Sequence, residues 1–331
     1  MSDPAKLNFD ALNGALKAAG EETRLRILAL LAEAELTVSD LTDILHQSQP
    51  RISRHLKLLA EAGLVERFRE GTWAFFRTAE HSDIARALIA HLNPADRVIA
   101  RDRERLAAVR AARTAAAQTY FRKHAAEWDR IRKLHVSDEA VEAAIRDALE
   151  QRPFRSLLDL GTGTGRMLEL FGSQIERGLG LDMSLDMLLL ARDHLERAGL
   201  RHCSVRQGDI YDLPIPDNSF DAVIIHQVLH FLDDGARAVK EASRVLRPGG
   251  SLLIVDFAPH ELEFLREKHA HRRLGFASEV VTQWMQSAGL EPVMHKSLPP
   301  EPGSDGQIAV SLWLARDTRA LMAAKPRREV A

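Results

Sequence analysis

Three glycines separated by single threonines, Gly161, Gly163 and Gly165, follow an apolar run and a carboxylate in "LLDLGTGTGRMLELF", residues 157–171. Glycine lets a backbone approach a ligand closely. The spacing excludes a dinucleotide fingerprint: G-x-G-x-x-G counted from Gly161 needs its third glycine at position 166, and Arg166 stands there. A carboxylate at the head of the loop would also repel a pyrophosphate. Asp159 can instead face an ammonium, directly or through water. "GLGLDMS" then ends a second apolar run with Asp182, at the spacing where an acid takes both ribose hydroxyls. Met183 offers an apolar group to one face of adenine, and Asp209 in "QGDIYDLP" can accept from the adenine amino group. The set describes a ligand with an amino-acid end, a sugar and a base. Three groups nearby, His226, His230 and Asp256, can act as a base. The plainer expectation is that His226 lines the pocket and His230 packs or caps "FLDD".

A second set lies far upstream. In "SQPRISRHLKLL", residues 48–59, Ser48, Gln49, Arg51, Ser53, Arg54, His55 and Lys57 are expected on the face of a helix opposite Ile52, Leu56, Leu59 and Ala60. These hydrogen-bonding and cationic groups have the length to reach bases and phosphates. Two short apolar runs, "LVERF" and "WAFFRT", then flank "REGT" in a hairpin that carries Arg67, Arg69 and Arg77.

The elements that must position these groups follow from periodicity. Thr37 is an expected N-cap, and Val38, Leu41, Ile44 and Leu45 share one helical face. A turn at Gln47–Ser48 separates this helix from the next, which ends at Gly63. Two helices with so tight a turn make a helix-turn-helix, and the basic hairpin after it makes a winged helix. Helix 81–92 is expected to supply a dimer interface. Residues 94–133 are rich in Ala and Arg and read as one or two long helices starting at Pro94; 138–150 form another, ended by Pro153. From 155 onward apolar strands alternate with helices, the pattern of a parallel α/β sheet. The expected strands are 156–160, 178–182, 202–206, 221–226, 250–257, 291–297 and 308–315.

The 331 residues suffice for two domains. Lys and Arg number 45 against 47 Asp and Glu, so any basic face is local rather than global. The acids of the front half, Asp40, Asp43 and Glu61, fall on supporting helices or a helix end. One cysteine, Cys203, makes neither an internal disulfide nor a metal cage. The first twenty residues have no long apolar core, and no run of about 18 apolar residues occurs anywhere. A cytoplasmic protein without membrane contact is expected.

Residues 12–80, and "RISRHLKLLAEAGLV" above all, resemble the ArsR family of dimeric winged-helix repressors. That resemblance implies a homodimer on a two-fold symmetric double-stranded DNA operator. Many relatives sense metals through a Cys-x-Cys pair; here Thr37, Val38 and Ser39 stand in its place, and the spacing of His81, Asp83 and His91 does not fit the family's second site. No metal is expected. Residues 120–315 resemble class I S-adenosylmethionine-dependent methyltransferases of the small-molecule type, with the motifs in the family's order. By that resemblance Asp159, Gly161, Gly163, Gly165, Asp182, Met183, Met187, Asp209 and Ile210 bind S-adenosylmethionine or S-adenosylhomocysteine. His226 lies near the methionine end, and Tyr120 and Trp128 sit in a cap near the ligand. The cysteine pattern of arsenite methyltransferases is absent.

The expected architecture is therefore two-domain. An N-terminal α+β winged helix-turn-helix spans 1–93 and linker and cap helices span 94–150. A Rossmann-like α/β methyltransferase fold with a mostly parallel seven-stranded sheet spans 151–315, and a tail spans 316–331. Two functions fit. In one, a transcriptional regulator uses the methyltransferase-like domain as a ligand sensor, with helix 94–133 as transmitter, as in fusions that respond to S-adenosylhomocysteine and control methionine-cycle genes. In the other, a working methyltransferase on a small molecule regulates its own gene. Methyl transfer needs little beyond in-line placement, so an unassigned base does not exclude it. A sensor can fill the acceptor pocket with bulky groups such as Phe264, Phe276 and Trp284.

Overall fold

The computed structural model describes residues 7–70, 72–79, 82–124, 138–300 and 308–319, and the chain divides into two units, Met1–Ala115 and Ala116–Ala331. The first unit contains α1 (Phe9–Ala19), α2 (Glu22–Leu31), α3 (Val38–Leu45), α4 (Gln49–Glu61) and α5 (Asp83–Ala90). Strands β1 (Leu36–Thr37), β2 (Val65–Glu70) and β3 (Trp73–Thr78) form an antiparallel sheet in the order β1-β3-β2. Local chemistry sets the helix ends. At α3 the Thr37 hydroxyl accepts the Asp40 N–H at 3.2 Å while the Asp40 carboxylate accepts the Thr37 N–H at 2.9 Å, a reciprocal cap. His46, left-handed at φ 53°, stops α3, and Ser48 opens α4. Gly63 at φ 66° ends α4: its N–H reaches Ala60 O, and the Leu64 N–H reaches Leu59 O. This pairing satisfies carbonyls the helix leaves open. Ile27, Leu41, Ile44, Ile52, Leu56 and Leu59 are fully buried and form the core of this unit.

Helix α6 (Arg97–His124) begins after Asp96, whose carboxylate accepts the Val98 N–H at 2.9 Å. Pro94 therefore precedes the cap instead of opening the helix. The remainder of the expected 94–133 helix, Trp128 included, lies outside the described residues.

The second unit contains α7 (Asp138–Leu149), then β4 (Ser156–Leu160), α8 (Arg166–Phe171), β5 (Arg177–Asp182), α9 (Leu185–Arg197), β6 (Cys203–Gln207) and β7 (Phe220–His226). After these come α10 (Gly235–Val245), β8 (Leu246–Phe257), α11 (Phe264–His269), α12 (Ser278–Ser287), β9 (Leu290–Leu298) and β10 (Val310–Asp317). The strands form one sheet in the order β6-β5-β4-β7-β8-β10-β9. The first five are parallel; β10 runs antiparallel to β8 and β9. The fold is Rossmann-like, as the alternation of strands and helices implied. Leu157, Leu158, Val223, Ile224, Leu253 and Ile254 are all fully buried, with helices covering both faces. One strand boundary differs from the expected one by more than two residues. β8 starts at Leu246, upstream of Pro248-Gly249-Gly250, where the sequence placed a turn before the strand. The register with β7 jumps from Phe220–Leu246 to Ala222–Ser251, and Gly249 sits at φ 84°. The tripeptide bulges within the strand and does not precede it.

Candidate functional site

Strand order reverses beside β4: β5 and β6 lie to one side, β7 and β8 to the other. In a doubly wound sheet this leaves a crevice beyond the carboxyl ends of the central strands. The glycine loop occupies that edge, directly after β4. Gly161, Gly163 and Gly165 all have positive φ, at 71°, 53° and 85°. A Cβ on Gly161 would stand 2.4 Å from Val228 Cγ2, so the loop also needs glycine for space.

Asp182, the last residue of β5, binds the loop. Its Oδ2 accepts the Gly163 N–H at 2.9 Å and its Oδ1 accepts the Ser184 N–H at 2.8 Å. Burial pushes this carboxyl above the usual range, while the N–H groups of Ser184, Gly163 and Met183 pull it down. Asp209 is exposed after β6, and its Oδ1 accepts the Tyr211 N–H at 2.9 Å. Ile210 and Met187 are buried; Met183 and His226 are half-buried, His226 at the end of β7. Asp159 is the carboxylate of β4. It is 1% exposed, and its Oδ2 accepts the Thr162 hydroxyl at 2.6 Å. It braces the loop from within the central strand. Gln227, buried and left-handed at φ 55°, and Val228 belong to this edge although the sequence singled out neither. A polar residue closing the apolar run of β7 was the available signal for Gln227.

In the N-terminal unit, Gln49, Arg51, Ser53, Arg54 and Lys57 are exposed along α4, with Ser48 at its N-cap. Arg67 and Arg69 are exposed on β2. Arg77 is engaged: it contacts Glu66 at 3.2 Å and Glu35 at 3.6 Å.

Residues 21–67 match the profile of bacterial regulatory proteins of the arsR family, and residues 158–254 match that of a methyltransferase domain. The chain joins an arsR-family helix-turn-helix to a methyltransferase domain. Over 145 residues it is 32% identical to an uncharacterized methyltransferase of Bacillus subtilis, covering 44% of this chain and 56% of that protein. It is 36% identical over 121 residues to a ubiquinone/menaquinone biosynthesis C-methyltransferase of Vibrio cholerae, covering 35% of this chain and 46% of that one. The chain thus spans about half the length of these curated relatives. A solved chain from the complex of the Haloferax volcanii Trm112 methyltransferase activator with a methyltransferase matches at 22% identity and a TM-score of 0.50, covering 60% of this chain and 97% of that one. That likeness bears on the fold alone.

Within the methyltransferase domain, two of the three base candidates, His230 and Asp256, lie in the interior. His230 is 2% exposed, and its Nδ1 lies 2.8 Å from Oδ1 of fully buried Asp256. The His230 carbonyl accepts the N–H groups of Arg272 and Arg273, and its ring packs among Phe231, Phe257 and His271. His230 and Asp256 are thus committed to each other in the interior. Phe276 and Trp284 likewise fill core: their rings meet edge to face at 5.4 Å, and a Cβ on Gly235 would stand 2.5 Å from Trp284. Phe264 packs at the rim of the core beside His269. Tyr120 is held by a 2.7 Å hydrogen bond with His269 Nδ1, and burial pushes its phenol up to about 12. No cluster of three or more His, Cys, Asp or Glu residues able to hold a metal occurs among the described residues, and Asp83 pairs with Arg86. No helix there is long and apolar enough to cross a membrane.

Within the arsR-family segment, His55 leaves the expected polar face. It is 9% exposed, because positions 52, 55, 56 and 59 make one inward stripe, and its Nδ1 lies 3.6 Å from Glu21. Burial, with Arg24, Arg51 and Arg54 nearby, holds its imidazole below the ordinary value of 6.5; the Glu21 carboxylate opposes this. The unfolded chain therefore takes up this proton more readily than the folded one. The contribution of neutral His55 to stability is present above 6.5 and is lost as pH falls through the depressed value. Urea midpoints on either side of that window are expected to drop with acidity, and His55→Leu is expected to flatten the dependence.

Proposed function

We propose that this chain is a cytoplasmic DNA-binding transcriptional regulator, a repressor, whose methyltransferase domain binds S-adenosylmethionine or S-adenosylhomocysteine and thereby changes operator affinity. The observation that carries the reading is α6. It is one continuous helix with residues in both units, and its N-terminal portion is fastened to the helix-turn-helix. Asp102 pairs with Arg26 of α2, Arg105 donates to the Ile44 carbonyl at the end of α3, and Arg113 binds Asp40, the carboxylate that caps α3. Its C-terminal portion carries Tyr120 and Phe121, which meet His269 and Phe231 of the methyltransferase domain.

The residues present fit an adenosyl ligand. Each oxygen of Asp182 accepts one backbone N–H, and a carboxylate oxygen has a second lone pair, so a vicinal diol can still be held. Gly161, Gly163 and Gly165 let the backbone come close, Met183, Met187 and Ile210 offer apolar walls, and Asp209 and His226 stand at neighbouring strand ends. When bound, S-adenosylmethionine supplies an activated methyl group on a sulfonium; S-adenosylhomocysteine supplies none. On DNA, Ser48, Gln49, Arg51, Ser53, Arg54 and Lys57 face the major groove, and Arg67 and Arg69 of the wing meet phosphates. A homodimer on a two-fold symmetric operator is favoured by the exposed apolar stripe of α1: Phe9 is 80% exposed, and Leu12 and Leu16 are exposed beside it.

A ligand shifts DNA affinity only through preference for one of two protein states, and a coupling of about 1–3 kcal/mol corresponds to about 5- to 150-fold. The test is a matched pair in the full chain, with operator binding titrated by each form of the ligand. Asp182→Ala is expected to abolish ligand binding and the ligand response of operator binding while leaving basal operator binding intact. Arg54→Ala is expected to abolish operator binding and leave ligand binding intact. An unchanged ligand response in Asp182→Ala refutes the sensor reading. Conversion of S-adenosylmethionine to S-adenosylhomocysteine in the same tube, with no effect on operator binding, favours the alternative of a working small-molecule methyltransferase.

A further inference from the structure

At the β9 edge of the large sheet the chain forms a second cleft, distinct from the glycine-loop crevice. It has a volume of about 380 Å³ and lies between α7 and the β9–β10 pair. That size is at the lower end of small-molecule sites. Its shape comes from a β-bulge. Leu314 pairs with Met294 and Ala315 with Pro292, so Val293 is an extra residue in β9. A bulge bends its strand and re-aims the side chain it carries; Val293 is 42% exposed although apolar, and it lines the cleft. Met294, Leu314 and Ala148 complete an apolar wall.

Two cations stand at this wall, Lys296 and Arg316. Among the described residues neither has an ion-pair partner, and Arg316 Nε is buried without a hydrogen bond. A buried donor left unsatisfied costs its full desolvation penalty, so this nitrogen is poised for an acceptor. One acid, Asp147, also lines the cleft, leaving an excess of one positive charge in its lining. The Arg316 guanidinium offers planar paired donors that match a carboxylate.

We propose that this cleft binds a small aliphatic carboxylate. Its carboxylate lies on Arg316 and Lys296, and its chain lies over Val293, Met294 and Leu314. The site is independent of the adenosyl ligand and does not rest on the sensor reading. The test is calorimetric titration of the full chain with hexanoate, against acetate and hexanol as probes of the two halves of the ligand. Hexanoate is expected to saturate one site with a dissociation constant at or below about 1 mM, with acetate and hexanol each at least about tenfold weaker. Arg316→Gln is expected to weaken hexanoate at least about tenfold, in line with a lost charge-assisted hydrogen bond. Because Arg316 lies within β10, Val293→Asp is the companion: it is on the exposed bulge, is expected to keep the wild-type thermal transition, and loses hexanoate. Absence of hexanoate binding to the wild type overturns the proposal. So does binding that both variants retain, which places it elsewhere, and so does acetate binding equal to hexanoate, which shows that the apolar wall takes no part.

Discussion

Arg26→Ala is expected to lower the stability of the N-terminal unit by about 3–5 kcal/mol, the range for stranding one member of a buried ion pair. Arg26 of α2 meets Asp102 of α6 in a bidentate contact, with both distances at 2.7 Å, and Asp102 is 2% exposed. Planar guanidinium against carboxylate is the strong geometry for such a pair. Without Arg26 the buried carboxylate loses both of these hydrogen bonds. The reverse truncation, Asp102→Ala, is expected to cost less. Arg26 would keep Glu22 at 3.8 Å, and its side chain remains partly open to water. Asp102→Asn is expected to fall between them. Urea denaturation followed by helical circular dichroism ranks the three variants. An Arg26→Ala loss below about 1 kcal/mol would reduce the contact to the value of an ordinary surface pair. Operator affinity is expected to fall with stability, since the pair fixes the helix that also grips the cap of α3.

Gly161→Ala is expected to remove adenosyl-ligand binding. The residue sits at φ 71°, where a side chain costs about 1–3 kcal/mol. The new methyl would also stand 2.4 Å from Val228 Cγ2, and overpacking of that kind costs about 1–3 kcal/mol more. The loop relieves both by moving, which displaces the Gly163 N–H from Asp182. Ligand affinity measured by calorimetry is expected to fall at least about tenfold, a loss of about 1.4 kcal/mol. The double variant Gly161→Ala with Val228→Ala is expected to recover the part due to the clash and not the part due to φ. Equal affinities in the wild type and Gly161→Ala would show that the loop does not hold the ligand.

Much of this arrangement was legible in the sequence because it is local. The Thr37 cap, the apolar stripes of α3 and α4, and the alternation of strand and helix after 155 each depend on neighbours within a turn or a strand. The strand-end position of Asp182 follows from the same reasoning. His55 was legible in principle: spacing with Ile52, Leu56 and Leu59 places it inward, and only its polarity argued otherwise. The pairings of Asp159 with Thr162 and of His230 with Asp256 were not legible. Their partners depend on which strand becomes central and on which side chains meet around β7 and β8, which no stretch of sequence near either residue specifies. The Arg316 cleft was hidden for a related reason. A bulge is a mismatch between two strands and has no signature in either one alone.

The sheet order has a consequence for synthesis. Among the described residues β10 is the last strand of the sheet in chain order, yet it lies inside the sheet, between β8 and β9. When Leu298 leaves the ribosome, β9 has no strand to join and the flank of β8, "LLIVDF", is open. Both stay so until Val310–Asp317 has emerged, roughly 20 residues and about 1–4 s later at elongation rates of about 5–20 residues per second. Unpaired apolar edges are what aggregates and what chaperones bind. A nascent chain stalled in this interval exposes two strands at once, whereas the N-terminal unit, completed about 200 residues earlier, has had time to fold.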